Sequence, residues 1–227
     1  MNHFEWTWTQ EGESVFAQGW SPEQPKGVVC IAHGFNEHSS RYEHVAKRLA
    51  DAGYATLTYD QLGHGKTTGK RGHVPTYEAF LDSVKAILDA AEKRYPGKPK
   101  FLWGHSMGGG IVVNYVLRRK PNIAGAIATG PLFRLGFEPP AVKVALAKIM
   151  RNIYAGYTEK AELDSKAISR DPKEVAAYDA DPYNHGKITA GTFLSMYEAG
   201  KWAEDNAAKL HIPLLLMHGT GDQLTSP

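Results

Sequence analysis

The length, composition and charge of the chain exclude several classes of protein. Its 227 residues suffice for one large domain or two small ones, and its 42% hydrophobic and 22% charged residues are typical of folded globular proteins. The 26 basic and 24 acidic side chains are interleaved, so the sequence offers no basic patch for nucleic acid. A disordered, collagen-like or nucleic-acid-binding protein is therefore excluded.

The single cysteine and the lengths of the apolar runs indicate the cellular compartment of the protein. Cys30 has apolar neighbours and cannot form an intramolecular disulfide, which favours a reducing compartment. The N-terminus lacks the pattern of a signal peptide, and no run approaches the about 18 apolar residues of a membrane span. We therefore expect a cytoplasmic protein.

The apolar pattern predicts a hairpin followed by a mostly parallel sheet. Aromatic residues alternate with polar ones from Phe4 to Trp8, and an extended pattern resumes from Val15 to Trp20. Further along the chain, continuous apolar runs alternate with helical patterns, as in a sheet buried on both faces. The apolar runs are at 27–32, 54–59, 101–103, 123–128 and 214–217. The fold class is therefore α/β, with a doubly wound sheet and an N-terminal antiparallel hairpin.

The alternation of strands and helices stops between Pro131 and about Lys209. This stretch has helical patterns and turn signals but no convincing strand. We therefore predict a helical cap at 131–209, inserted into a core made of 1–130 and 210–227.

A Gly-x-Ser-x-Gly motif gives the strongest chemical signal. The segment 104–108 reads Gly-His-Ser-Met-Gly and lies between the predicted strand at 101–103 and a helical run at 111–117. A nucleophilic serine at such a strained turn needs small neighbours, because a Cβ there would collide with the adjacent backbone. Ser106 is therefore the predicted nucleophile; the alternative is an ordinary glycine-rich turn.

A second motif predicts the oxyanion hole. The segment 33–38, His-Gly-Phe-Asn-Glu-His, follows the strand at 27–32, where such folds place the loop that supplies an amide donor. The backbone amides of Phe35 and Met107 are then the two donors. A tight turn in which His33 is simply hydrogen-bonded remains the alternative for this loop.

The apolar run at 214–217 ends in a glycine-containing loop that presents an acid, Asp222. Asp222 follows Ser106 in the chain, as the order serine, acid, histidine requires. Three other aspartates compete for the role. Asp60 precedes the nucleophile, however, and Asp179 and Asp181 lie in the predicted insertion.

Together these motifs resemble the monoacylglycerol lipase and lysophospholipase-like branch of the α/β-hydrolase superfamily. The segments that carry the resemblance are 33–42, 60–65, 104–109, 181–183 and 218–222. The resemblance implies an α/β-hydrolase fold with a mobile helical cap, a serine hydrolase that needs no cofactor or metal, and a narrow polar subsite for a glycerol head group. The positions of this sequence that match the head-group subsite are Glu37, Arg41 and Tyr178.

The sequence departs from this family pattern in one respect. The catalytic histidine is expected roughly 25–40 residues after the acid in the serine, acid, histidine order, whereas the chain ends five residues after Asp222. We therefore expect a fragment from which the catalytic histidine and a last strand and helix are missing.

The preferred function is hydrolysis of monoacylglycerols or related single-chain lipids through an acyl-enzyme. A general carboxylesterase or serine peptidase on the same fold is an alternative, since the fold does not fix the substrate. A catalytically inactive binding module is another, if the chain truly ends at Pro227.

One cap helix is expected to be amphipathic. Its apolar stripe comprises Val142, Leu146, Ile149, Met150 and Ile153, with basic residues elsewhere. The stripe is expected either to bind the acyl chain, to touch a membrane surface transiently, or to pack on the core.

Overall fold

A seven-stranded sheet forms the centre of the protein. The computed structural model describes residues 1–154, 156–161 and 163–227. The strands of this sheet are β1 (Asn2–Gln10), β2 (Glu13–Ser21), β3 (Gly27–Ala32), β4 (Tyr54–Tyr59), β5 (Lys100–His105), β6 (Gly125–Thr129) and β9 (Leu214–Met217). Their spatial order is β1-β2-β4-β3-β5-β6-β9.

The strand directions confirm the predicted fold. β1 and β2 pair as an antiparallel hairpin, and β2 pairs antiparallel with β4. From β4 to β9 every neighbouring pair is parallel. The carboxyl ends of β3, β5, β6 and β9 therefore lie at one edge of the sheet, where open α/β sheets bind their ligands.

Helices cover both faces of the sheet. They are α1 (Glu43–Asp51), α2 (Tyr77–Arg94), α3 (Met107–Arg119), α4 (Ala141–Tyr154), α5 (Pro172–Ala180) and α6 (Ala190–Asp205). Val45 and Leu49 of α1 pack against Val29 and Ile31 of β3 on one face. The buried sides of α2 and α3 join the larger core on the other face. This arrangement explains why β3 reads as an uninterrupted apolar run: it is buried on both faces.

The chain between β6 and β9 contains α4 and α5, as the predicted cap requires, and also two short strands. These strands, β7 (Thr158–Lys160) and β8 (Lys187–Thr189), pair antiparallel. The expectation that this region holds no strand was therefore wrong. Strands of only three residues are too short to show an alternating apolar pattern in the sequence.

Helix α6 packs on the core as well as on the cap. Leu194 of α6 meets Ala147 of α4, while Ala203 packs with Val113 and Leu117 of α3. Asn114 of α3 also donates a hydrogen bond to the carbonyl of Ala199 in α6. We therefore propose that the cap spans 131–209 and that α6 packs both on the rest of the cap and on the core.

In the part of the chain that the structure describes, no helix combines the length and the apolar character needed to cross a membrane.

Candidate active site

Ser106 lies at the turn between β5 and α3, in a backbone conformation that side chains rarely adopt. Its φ is +52° and its ψ is −117°. The turn is held on both sides, because the Ser106 amide donates to the carbonyl of Thr129 and the Ser106 carbonyl accepts from the amide of Leu132, each at 2.9 Å. Such strain is typical of functional sites.

The two glycines of the motif are required by close backbone packing. A Cβ at Gly104 would lie 2.1 Å from the carbonyl oxygen of Gly108, and a Cβ at Gly108 would lie 2.0 Å from that of Ala32. Both distances are far below van der Waals contact. The turn that exposes Ser106 therefore forms only with glycine at both positions.

The loop at 33–38 is fixed by the buried imidazole of His33. Its Nε2 accepts a hydrogen bond from the amide of Gln61 at 3.0 Å, so the proton of the neutral ring must be on Nδ1. Nδ1 then donates to the carbonyl of Gly34 at 2.7 Å. Burial lowers the pKa of His33 despite the nearby carboxylates of Asp60 and Glu37, which keeps the ring neutral.

The hydrogen bond from His33 to the carbonyl of Gly34 orients the amide of Phe35. The carbonyl of Gly34 and the N–H of Phe35 belong to one planar peptide unit and point in opposite directions. Within the described residues, no acceptor bonds the amide of Phe35 or that of Met107, the first residue of α3. Met107 directly follows Ser106 in the chain, and Phe35 lines the cavity that also holds Ser106. The geometry therefore leaves two free donors of the kind an oxyanion hole needs.

Glu37 stabilises the same loop from the other side. Its Oε1 accepts hydrogen bonds from the amide of Gly34 and, at 2.8 Å, from the hydroxyl of Tyr42. Its Oε2 lies 3.6 Å from Nε of Arg41. The guanidinium of Arg41 in turn lies 5.2 Å from the ring centroid of Tyr178 in α5. The structure thus brings the three predicted head-group positions, Glu37, Arg41 and Tyr178, into one cluster.

Asp222 lies in the loop after β9. Its Oδ1 accepts from the amides of Leu224 and Thr225 at 2.9 and 3.0 Å, and its Oδ2 accepts from the Thr225 hydroxyl at 2.9 Å. Burial opposes ionisation, but these donors outweigh it and the pKa of Asp222 lies below its ordinary value. The carboxylate is therefore charged and held in one orientation.

The competing aspartates have other contacts. Asp60 is buried and accepts from the amides of Ser39 and Lys66. Asp181 pairs with His38, and Asp179 accepts from the hydroxyl of Ser165. Asp222, by contrast, lines the cavity that holds Ser106.

Two of the described histidines lie near Ser106 or Asp222. His105 lines the cavity, but its Nδ1 donates to the carbonyl of Thr129. His218 lies 3.3 Å from Asp222 Oδ2 and 3.1 Å from the Thr225 hydroxyl. No imidazole among the described residues is hydrogen-bonded to both Ser106 and Asp222.

One cavity of about 1070 Å³ joins these groups beneath the cap. Ser106, Asp222, Glu37, Arg41 and Tyr178 line it. Its apolar lining comprises, among others, Leu132, Phe133, Ala147, Ile188, Phe193 and Met196. A volume of this size accommodates a single acyl chain with a small head group.

The predicted apolar stripe of α4 does not line this cavity. Val142, Leu146, Ile149 and Ile153 are exposed, by 54 to 78%. Only Met150 of the stripe turns inward, where it packs near Ala190 and Leu194 of α6. The expectation that an acyl chain binds along the stripe was wrong, because helical periodicity identifies a face but not its direction.

Two side chains of the loop at 33–38, those of Asn36 and His38, make contacts with the cap that the motifs did not predict. Asn36 hydrogen-bonds to Tyr178 and Gly186 of the cap, and His38 Nε2 lies 2.8 Å from Asp181 Oδ2. An asparagine in a tight turn, where it tolerates a positive φ, was the one available signal for Asn36.

Comparison with protein families gives one extended match. A family profile described as serine aminopeptidase, S33, matches residues 23–227. The match includes the loop at 33–38, Ser106 and Asp222.

The chain is also similar to named lipases. It is 39% identical over 215 residues to a monoacylglycerol lipase from Mycolicibacterium smegmatis, covering 94% of this chain and 76% of that protein. It is 33% identical over 218 residues to a human monoglyceride lipase, with 94% and 71% covered. The crystal structure of a monoacylglycerol lipase from Paleococcus ferrophilus superposes with a TM-score of 0.86 at 33% identity, covering 94% of this chain and 80% of that one.

Proposed function

Because the chain belongs to the serine aminopeptidase S33 family, within the monoacylglycerol lipase-like α/β-hydrolases, we propose that it hydrolyses the acyl ester of monoacylglycerols. The observation that carries the proposal is the single cavity in which a strained serine, two free amides, a polar cluster and an apolar wall meet. The similar proteins from Mycolicibacterium smegmatis and human support the choice of substrate.

Ser106 is the nucleophile of this mechanism. Its Oγ attacks the acyl carbonyl and loses its proton to a histidine base, while the amides of Phe35 and Met107 bind the oxyanion. Collapse of the tetrahedral intermediate releases glycerol, which takes the proton from the histidine, and water then hydrolyses the acyl-enzyme. Each oxyanion donor contributes about 2.7–4 kcal/mol to lowering the barrier.

Asp222 orients the imidazole of that histidine. Its charge and fixed orientation suit this role, because the acid of a catalytic triad holds one tautomer and stabilises the imidazolium. The expectation of a histidine roughly 25–40 residues after Asp222 stays a prediction about the parent reading frame.

Glu37, Arg41 and Tyr178 bind the glycerol head group in this proposal. They form the polar corner of the cavity. The acyl chain then lies against the apolar wall that includes Phe193 and Met196. The wall, rather than the α4 stripe, gives the enzyme its preference for long chains.

The exposed α4 stripe suits transient contact with a membrane surface. Four of its apolar side chains face outward beside the exposed Lys148, as in helices that lie in a membrane interface. Such contact would deliver a lipid substrate to the cavity beneath the cap. A cytoplasmic location, supported by the buried free Cys30, is part of the same proposal.

A chain-length series tests the substrate class. The enzyme from the complete reading frame is assayed on glycerol monoesters from acetyl to oleoyl, with Ser106→Ala as the inactive control. Each CH₂ buried against the wall stabilises the complex by about 0.8 kcal/mol, so kcat/KM should rise steeply with chain length. Equal turnover of acetyl and oleoyl esters would instead indicate a general carboxylesterase.

A further inference from the structure

The side chain of Asn36 joins the oxyanion loop to the cap. It is 5% exposed. Its Nδ2 lies 2.6 Å from the hydroxyl oxygen of Tyr178, and its Oδ1 lies 2.5 Å from the amide nitrogen of Gly186. Both ends of the amide are therefore bonded to the cap, while the backbone of Asn36 directly follows the oxyanion donor Phe35.

The directions of these two hydrogen bonds are fixed by chemistry. The backbone N–H of Gly186 can only donate, so it must face Oδ1 of Asn36. Nδ2 then faces Tyr178, and because an NH₂ group can only donate, the oxygen of Tyr178 accepts. The hydroxyl proton of Tyr178 must consequently point away from Asn36. Within the described residues no acceptor takes this proton.

Two further features of Tyr178 suit it to donate its hydroxyl proton to a substrate. Tyr178 lines the cavity beside Arg41, which has no acceptor of its own. Burial raises the pKa of Tyr178 to about 12, so the hydroxyl remains protonated at neutral pH. The group can thus serve a substrate as a hydrogen-bond donor.

The backbone of Asn36 suggests why asparagine stands at this position. Its φ is +57°, in the left-handed region, which asparagine tolerates better than most residues. Glycine would fit the backbone but would remove both bonds to the cap. A carboxylate would accept from Gly186 and would also accept the proton of Tyr178, which reverses the second bond.

We propose that Asn36 is a positioning residue that makes Tyr178 an obligate hydrogen-bond donor to a hydroxyl oxygen of the glycerol head group. Asn36 does not touch the substrate and acts through Tyr178 alone. The inference rests on the proposed hydrolysis of monoacylglycerols, and it assigns head-group selectivity to a chain of donors running from Gly186 through Asn36 to Tyr178.

The test compares two esters with one acyl chain, 1-monooleoylglycerol and methyl oleate. Asn36→Gly, Tyr178→Phe and the double variant are made in the enzyme from the complete reading frame. Tyr157→Phe, at an exposed tyrosine of the cap, is the control. The readout is the kcat/KM for monooleoylglycerol divided by that for methyl oleate, which cancels a general loss of activity.

Each single variant should lower this ratio about fivefold to tenfold, the effect of one lost hydrogen bond. The double variant should lower it no further than Tyr178→Phe alone, and the control should leave it unchanged. Asn36→Asp, which keeps a bond to both cap groups, should lower the ratio as Tyr178→Phe does, and it provides the comparison if Asn36→Gly does not fold.

An unchanged ratio in Asn36→Gly or Asn36→Asp, or additive effects in the double variant, would overturn the role of Asn36 while leaving the proposed function intact. A wild-type enzyme that hydrolyses methyl oleate with no preference for monooleoylglycerol would overturn the proposed substrate as well.

Discussion

At the scale of single residues, the site consists of groups whose hydrogen bonds allow only one orientation. His33 has a single tautomer because the amide of Gln61 occupies its Nε2. That tautomer holds the carbonyl of Gly34 and thereby directs the amide of Phe35. His33 is therefore a neutral, buried imidazole that positions the loop at 33–38, and it takes no part in the proton transfer of the proposed mechanism.

The assignment of Asp222 as the acid predicts an asymmetry between two aspartates. In the enzyme from the complete reading frame, Asp222→Asn should lower kcat by about 10⁴, because the amide no longer selects the productive tautomer of the histidine. Asp181→Asn should cost far less, since Asp181 pairs with His38 at the cap. Steady-state kinetics on one monoacylglycerol decides between them, and the reverse ranking would place the acid in the cap.

At the scale of elements, the two sides of α4 have different partners. Ala147 and Met150 pack against α6, whereas Val142, Leu146 and Ile153 lie in solvent. An exposed apolar face of this kind is a recognised mark of membrane or protein contact.

The exposed face of α4 predicts membrane binding that can be removed by substitution. The double variant Leu146→Ser with Ile153→Ser should weaken binding to vesicles of phosphatidylcholine and phosphatidylglycerol by roughly tenfold or more, because it withdraws two apolar side chains from the interface. Co-sedimentation measures the effect. Leu210→Ser, at an exposed leucine outside α4, is the matched control, and equal binding by all three proteins would contradict the prediction.

The elements differ in how much of them the sequence can predict. Strands β3 to β6 could be placed because burial on both faces leaves continuous apolar runs, and Ser106 and Phe35 because their motifs lie at strand ends. The contacts of the cap could not be placed in this way. Asn36 and Tyr178 lie 142 residues apart in the chain, and only the folded cap brings them together.

At the scale of the whole molecule, buried histidines link stability to pH. Burial is the main cause that lowers the pKa of His33 and of His64, and it lowers that of His185 to about 4. These rings are neutral in the fold but take up protons in the unfolded chain below about pH 6.5. The unfolded state therefore binds more protons as the pH falls, which destabilises the fold.

The free energy of unfolding should accordingly decrease between about pH 7 and 5.5, by up to about 1.4 kcal/mol per pH unit for each buried histidine. Urea unfolding at several pH values measures it. His64→Gln removes one of these groups, and its glutamine amide can still donate to the carbonyl of Leu62. The pH dependence of this variant should be shallower than that of the wild type, and an identical slope would rule out His64 as a contributor.

The strained backbone of Ser106 has a consequence for the evolution of this fold. A residue with φ near +52° costs of order 1–3 kcal/mol, whereas glycine adopts such angles freely. Ser106→Gly should therefore raise the melting temperature by a few degrees while abolishing activity, which thermal unfolding can check. Selection for thermal robustness alone would remove the proposed nucleophile, so its presence records a trade between stability and activity.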